Sequence, residues 1–296
     1  MPIVYIILVN YNGYKDTIEC VHSLKKISYS NFKIIIVDNA STNNSLEKIS
    51  SELNNTIILK SNHNLGFAGG NNIGIQYALK DGAQYILLLN NDTLVQKDFL
   101  GYMVKSFSTN KNAGIVGCKI MNFPQKDKIW YCGGRINWFK FIGEHFVIEK
   151  DNICEQEIKC DFVTGCCMLI KKEVFEEVGM LPEDYFMYFE DVDFCVKVSE
   201  NKYDIVYNPK SIIYHKVGTS GGGKQSSFSI RWCTRNRLIF MKRYRERVKK
   251  SNFFLSNVFF FTSRFIKIIM YIIKFQFSKA MAIIQGIMDA HKYKVL

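Results

Sequence analysis

The chain has 296 residues, 48% of them hydrophobic and 22% charged, with a formal net charge of +12. That length suits one large α/β domain or two smaller ones, and the composition excludes wholesale disorder in favour of a packed core. The nine cysteines are odd in number, scattered and without a CxxC pair. They support neither a zinc site nor a disulfide framework and fit a reducing, cytosolic setting.

Met1 to Val9 is apolar but too short and without the basic flank of a signal peptide, and Val4 to Val9 reads as a buried strand that runs into Asn10-Tyr11-Asn12-Gly13. A helix is predicted at Thr17 to Lys25, and a strand at Phe32 to Val37 ends at Asp38-Asn39-Ala40-Ser41-Thr42. A helix near Ser45 to Leu53 and a short strand at Thr56 to Leu59 follow. The segment Asn64-Leu65-Gly66-Phe67-Ala68-Gly69-Gly70-Asn71-Asn72 then opens a helix ending near Asp81-Gly82. Tyr85 to Leu89 is a further strand, stopping abruptly at Asn90-Asn91-Asp92-Thr93, with a helix expected from Leu94 to Phe107. Strands separated by single helices imply right-handed crossovers and a mostly parallel sheet.

Asn10, Asp38 and Asn90 to Asp92 thus sit just past the C-terminal tips of three strands. A short polar residue at one such tip can simply cap the next helix. Three together mark the edge where open parallel sheets bind ligands, and point to a nucleotide site. The Gly66-x-x-Gly69-Gly70 run is not GxGxxG and does not follow the first strand, and no GxxxxGK[ST] loop is present. A nicotinamide enzyme fits poorly.

Beyond residue 110, Ile115 to Met121 and Cys160 to Ile170 look like strands, with Gly133-Gly134 marking a turn. Lys171 to Val178 is a short amphipathic helix. Aromatic residues from Tyr185 to Phe189 then lead into Glu190, Asp191 and Asp193 at the start of another helix, where Asp193 can pair with Lys197. A carboxylate beside aromatic rings and a second acid has its pKa raised, as a general base requires. Ile205 to Tyr207 and Ile212 to Tyr214 are strands, the second ending at His215, and Gly218 with Gly221 to Gly223 reads as a mobile loop. His215 and Asp92 suit Mn²⁺ or Mg²⁺, with phosphate oxygens completing the shell.

From Arg231 to Lys250 nine basic residues face one acid, Glu246, a patch that attracts polyanions. Phe253 to Met288 is apolar and aromatic but interrupted by Arg264, Lys267 and Lys274, so a charge-free window of about 18 residues is absent. An interfacial helix on an anionic membrane fits. So does a helix pair packed on the catalytic domain or forming a homodimer.

The ordered motifs VNYN, VDNAST, NLGFAGGNN, LLLNNDT, FVTGCCMLIKKEVFEEVGMLPEDYFMYFEDVDFC and YHKVGTS, from about Ile3 to Tyr244, resemble the family-2 inverting glycosyltransferases. The rhamnosyltransferase-like and galactofuranosyltransferase-like branch is the nearest in flavour. The resemblance implies an α/β GT-A fold: a Rossmann-like, mostly parallel central sheet with helices on both faces, plus a helical C-terminal extension. The catalytic domain would span 1–230, divided at 110 into nucleotide and acceptor halves, with the extension at 231–296.

By the same resemblance, Asn10 and Tyr11 would line the base pocket and Asp38 would bond the base or ribose. Asn64 and Gly69-Gly70-Asn71 would lie near the nucleotide. Asn90-Asn91-Asp92 would replace the usual Asp-x-Asp, with Asp92 and His215 on the metal. Asn90 is neutral where many relatives carry Asp. Asp191 would be the base, positioned by Glu190. A nucleotide-diphosphate sugar, UDP- or dTDP-linked, would be the donor and a glycan or lipid-linked glycan the acceptor, with a cytoplasmic enzyme peripheral on the inner membrane face. Processive relatives carry Gln-x-x-Arg-Trp. Here Phe228 stands in the glutamine's place before Arg231-Trp232, so addition of one or a few sugars is expected.

Two other functions remain in view. A sugar-phosphate nucleotidyltransferase would carry a basic, Gly-rich loop after the first strand, which Asn10 to Gly13 lacks. A non-enzymatic polyanion-binding module leaves the carboxylates without a purpose, so no nucleic-acid partner is expected.

Overall fold

The computed structural model describes residues 1–54, 56–146, 156–216 and 226–293. In chain order the elements are β1 (Val4–Asn10), α1 (Tyr14–Leu24), β2 (Phe32–Asp38), α2 (Ser45–Glu52), β3 (Ile57–Lys60), α3 (Gly66–Lys80) and β4 (Tyr85–Leu89). Then come β5 (Thr93–Val95), α4 (Phe99–Thr109), β6 (Ala113–Asn122), β7 (Ile129–Tyr131), β8 (Gly134–Asn137), β9 (Ile142–His145), β10 (Ile158–Lys159) and β11 (Cys167–Lys171). The last are α5 (Lys172–Val178), α6 (Glu190–Glu200), β12 (Asp204–His215), α7 (Ser227–Arg243), α8 (Lys250–Ile273) and α9 (Phe277–Lys292).

The chain forms two compact units: Met1–Arg135 with His145–Phe186 and Glu190–Val217, and Ile136–Glu144 with Met187–Phe189 and Gly218–Leu296. The first is built on a sheet of order β10-β12-β6-β11-β4-β1-β2-β3, with β5 beside β12 and β7 beside β6. The β3-β2-β1-β4 half is parallel, as expected from its single-helix crossovers. Between β4 and β6, β11 runs antiparallel to both, which makes the sheet mixed. Its central strands are apolar throughout because both faces are buried.

Local chemistry explains where the elements depart from the sequence pattern. Thr93–Val95 is a strand, not the start of a helix, because its backbone pairs with Ile213–His215 of β12, and α4 begins only at Phe99. Of the predicted Cys160 to Ile170 strand only Cys167 onward is continuous strand, and the Gly165 N–H turns to a side chain instead. The two predicted strands at 205–207 and 212–214 are one strand, β12, with a register shift between Asn208 and Ile212. Pro209 has no N–H to donate to a ladder, so the strand bulges there. The predicted glycine loop at 218–223 lies outside the described residues.

Helix α3 lies close against β1 because its glycines leave room. A Cβ on Gly74 would sit 2.6 Å from Ile7 Cγ2, and one on Gly70 would sit 2.8 Å from Val9 Cγ1.

In the second unit α9 packs on α7 through Ala282, Ile283, Gly286 and Ala290, all buried. A Cβ on Gly286 would lie 2.5 Å from the Arg231 carbonyl oxygen. Tyr271, Ala280 and Ile283 form a small core joined by Ile230, Ile268 and Ile287. Helix α8 is long and apolar enough by length and composition to cross a membrane, with a mean hydropathy of 1.4 and 11% of that window buried. Phe254, Phe265, Ile266 and Ile273 are among its exposed side chains.

At Gly286 the obstructing atom is backbone, which cannot move aside. Gly286→Val is therefore expected to loosen α9 by more than ~2 kcal/mol. Limited proteolysis should then cut within 277–292 at least ~10-fold faster while 1–216 stays resistant; an unchanged digestion pattern would contradict the close crossing.

Candidate active site

The tips of β1 and β2 are register partners, Asn10 opposite Asp38. The Asn10 amide is wholly buried and fully used. Its Nδ2 donates to Asp38 Oδ1 at 2.9 Å and Ser41 Oγ at 3.0 Å, and its Oδ1 accepts from Thr17 Oγ1 at 2.9 Å. The Asp38 carboxylate also takes Ser41 Oγ at 2.5 Å and Ser41 N at 3.2 Å. Tyr11 is half-exposed beside them. Asn10 thus holds Asp38 in place, and Tyr11 and Asp38 are the members of the pair nearer to solvent.

Asn39 carries the network towards α3. Its Nδ2 donates to Asn64 Oδ1 at 3.1 Å and to the Gly66 carbonyl at 2.9 Å, while its Oδ1 accepts from Leu65 N at 3.0 Å. Gly69, Gly70 and Asn71 are interior, with Asn71 Nδ2 bonded to the Phe67 carbonyl at 2.9 Å. Their crowding against Leu65 and Val9 accounts for the glycines by packing. Gly66 has φ +70°, and a Cβ there would fall on the Phe186 carbonyl, which accepts from Phe67 N at 2.7 Å.

At the tip of β4, Asn91 Nδ2 donates to Thr17 Oγ1 at 2.9 Å, tying the turn to the Asn10 network. Asp92 is buried, and its Oδ1 lies 3.1 Å from His215 Nε2, with Asn90 Nδ2 3.5 Å from the same nitrogen. The fold therefore brings together Asn90, Asp92 and His215, which the β5–β12 ladder aligns. The Lys216 N–H bonds the Asp92 carbonyl at 3.0 Å, and Lys216 Nζ reaches Asp16 at 2.7 Å. Trp130 stands edge-on to the His215 ring, centroids 4.8 Å apart.

The three acids of α6 separate by environment. Asp193 is fully buried and takes the Tyr185 hydroxyl at 2.6 Å, with Lys197 at 3.4 Å, so it holds the fold. Glu190 is buried with Oε2 lacking any partner, and burial followed by the Asp191 charge pushes its carboxyl well above the usual range. Burial raises Asp191 too, against the opposing pull of the Gly165 and Val192 N–H groups and the His145 charge. Those N–H groups bond one to each Asp191 oxygen, at 2.9 Å and 2.8 Å, and fix the carboxylate plane. Two adjacent acids with their pKa values driven up, one fixed by two donors and one with an unpartnered buried oxygen, are suited to sharing one charge between them.

The model of "Glycosyl transferase family 2" matches residues 5–179. The chain belongs to glycosyl transferase family 2. Among its relatives is the low-salt glycan biosynthesis hexosyltransferase Agl10 of Haloferax volcanii, 26% identical over 79% of this chain and 74% of that protein. Another is the dTDP-rhamnosyl transferase RfbF of Shigella flexneri, 25% identical over 73% and 69%. Among solved structures, GalNAc-T7 with UDP, GalNAc and Mn²⁺ shares the fold at TM-score 0.62 and 16% identity, over 79% of this chain and 47% of that one. The mannosyltransferase PcManGT from Pyrobaculum calidifontis, with GDP-Man and Mn²⁺, does so at TM-score 0.60 and 11% identity, over 97% and 86%. The family-2 enzyme therefore has the GT-A fold and is a glycosyltransferase that uses a nucleotide sugar.

Several further residues stand near these groups without a role assigned from the sequence. Asn72 binds the segment before α6 through Leu181 N at 3.1 Å, Leu181 O at 3.0 Å and Glu183 Oε1 at 2.8 Å. His145, whose Nδ1 faces the Trp130 carbonyl at 3.1 Å, comes from β9, a strand too short to stand out. Phe186, Tyr188 and Phe189 all have positive φ, at 60°, 72° and 78°. Bulky residues held there store strain of order 1–3 kcal/mol each, which marks a functional segment.

Among the described residues no cluster of three or more His, Cys, Asp or Glu could by itself hold a metal ion. Asp92 and His215 nonetheless fit as a partial shell: a carboxylate oxygen and an imidazole nitrogen face each other in a buried position, and His215 Nδ1 is unbonded. Phosphate oxygens and water would have to supply the rest.

Glu190 holds its proton to higher pH in the folded chain than in the unfolded one. Stability is therefore lost as pH rises from the ordinary value, ~4.3, towards the raised one. Glu190→Gln does not titrate, so its melting temperature should gain on wild type across that range and the gap should close near pH 4. A gap independent of pH would contradict the shift.

Proposed function

We propose that this transferase is inverting and metal-assisted, moving a sugar from a UDP- or dTDP-linked donor to a hydroxyl of a glycan or lipid-linked glycan. The supporting observation is the Glu190–Asp191 pair: Asp191, oriented by two backbone donors, lies beside a bare, buried acid that favours the protonated state. A raised pKa makes Asp191 the stronger base. It takes the acceptor hydroxyl's proton as that oxygen attacks the anomeric carbon from the face opposite the nucleotide. The bond to the diphosphate breaks with its electron pair, and the single displacement inverts the centre. Glu190 positions Asp191 and, when neutral, adds no competing charge.

On the donor side, Tyr11 and Asp38 face the base and ribose, and Asn10 acts through Asp38. Asn64 and the Gly69-Gly70-Asn71 segment form the floor beneath them, while Asn90 and Asn91 shape the approach of the phosphates. Asp92 and His215 would hold a divalent ion, Mn²⁺ or Mg²⁺, whose chemistry is to neutralise charge on the diphosphate. The relatives' names support a hexosyl donor, dTDP-linked in one case, and glycan assembly. The neighbours crystallised with Mn²⁺ support a divalent cation. The exposed apolar face of α8 beside a basic tail supports work at the cytoplasmic surface of an anionic membrane. Arg264 and Lys267 near the middle of that helix would be costly in hydrocarbon, which favours lying on the bilayer over crossing it.

Asp191→Asn is expected to lower transfer by ~10²–10⁴-fold, the usual scale of general-base catalysis, while donor binding persists. Turnover within tenfold of wild type would remove Asp191 from that role. Asp92→Ala should weaken calorimetric affinity for the matching nucleoside diphosphate by about tenfold with Mn²⁺ present and little in EDTA. Equal weakening in both would place Asp92 in the fold rather than on a metal.

A further inference from the structure

The second unit carries a cationic cluster that sugar transfer does not use. From Arg231 onward fifteen basic residues stand against Glu246 and Asp289. Both acids are taken, Glu246 by Arg245 at 3.5 Å and Asp289 by Arg231 at 2.7 Å. Arg237 of α7 is 6% exposed, and its Nε donates to the Lys140 carbonyl at 2.6 Å, but its Nη2 is buried without an acceptor. Arg264 of α8 likewise buries an Nε without one. Both guanidiniums lie over the ring of Phe260, 5.0 Å and 5.4 Å from its centroid. Lys267 follows on the same helix.

The three cations also act on one another. Burial first, then the Arg264 charge, pulls Arg237 down to about 10. Lys267 is lowered by burial and by both guanidiniums, and Arg264 by burial. Arg237 is buried, Arg264 partly so and Lys267 exposed, and buried guanidinium N–H groups are ordinarily matched by a carboxylate. Here the unfilled N–H groups call for an anion from outside the chain.

We propose that Arg237, Arg264 and Lys267 bind a phosphate group carried by a membrane lipid. Guanidinium forks match phosphate oxygens in pairs, and the ammonium adds a point charge. Beside the cluster, α8 exposes Phe265, Ile266, Ile269 and Ile273, the surface an acyl or prenyl chain would cover. A soluble phosphate would leave that face bare. The inference deepens the membrane-surface part of the proposed function and rests on it.

The test floats the full chain with vesicles of phosphatidylcholine alone, with added phosphatidylglycerol, or with added polyprenyl phosphate. Wild type is compared with R264Q/K267Q and with K279Q/K292Q, which removes equal charge elsewhere. Each basic residue near an anionic surface strengthens binding about fivefold, so the second variant sets the electrostatic baseline. R264Q/K267Q should fall at least ~10-fold below that baseline on one or both vesicles whose added lipid presents an anionic phosphate uncompensated by choline. The lipid with the larger loss identifies the source, a phospholipid headgroup or a lipid-linked acceptor. In detergent without lipid, the variant should melt no lower than wild type, because like-charge repulsion is relieved. A clear drop would mean the cations serve packing and would overturn the site. Equal flotation of the two variants would overturn it too, as would stabilisation by inorganic phosphate without phosphate-dependent flotation. Melting shifts with UDP or dTDP plus Mn²⁺ are read in parallel. Their absence in wild type would count against the proposed donor chemistry and leave the flotation result standing.

Discussion

A buried amide between two strand tips is the constraint on which the proposed donor side of this enzyme depends. Asn10 has no exposure to water, so each of its polar atoms must find a partner inside. It finds Asp38, Ser41 and Thr17, and Thr17 in turn holds Asn91. One side chain therefore sets the spacing of the β1 and β2 tips and of the turn that carries Asp92. A network of this kind is favourable only when complete, which makes it rigid. Asn39 repeats the arrangement one step further along, joining the β2 tip to the start of α3.

On the opposite side the same physics runs the other way. Glu190 Oε2 is buried with nothing to bond, and Phe186, Tyr188 and Phe189 hold backbone conformations that side chains disfavour. Such features cost stability and persist where the surroundings over-determine them. Phe67 N fixes the Phe186 carbonyl, and the Asn236 amide fixes those of Met187 and Tyr188, at 2.8 Å and 2.9 Å.

Much of this was legible in the residues alone. The parallel half of the sheet follows from apolar runs separated by helical spacing, and the polar tips follow from where those runs stop. The pairing of Asp92 with His215 was legible as a match of ligand types, but not the β5–β12 ladder that aligns them, since Leu94 and Val95 suit a helix as well as a strand. The glycines of α3 looked like a nucleotide loop, yet Gly70 and Gly74 meet Val9 and Ile7, because glycine serves close packing and ligand approach alike. His145 had no local pattern to betray it, and Asn72 lay in a recognised motif that gave no hint of its partners. Their partners lie far along the chain, and only the folded sheet brings these together.

The contact of α7 with α9 has a consequence for the medium in which the second unit can exist. Ala282, Gly286 and Ala290 recur every four residues along the buried side of α9 and admit the α7 backbone closely. Affinity between helices that meet through small residues comes from van der Waals contact rather than from expelling water. Such a joint loses little when the surrounding solvent turns from water to lipid. The same helices can therefore keep one arrangement in water and in contact with lipid, with no refolding at the transition.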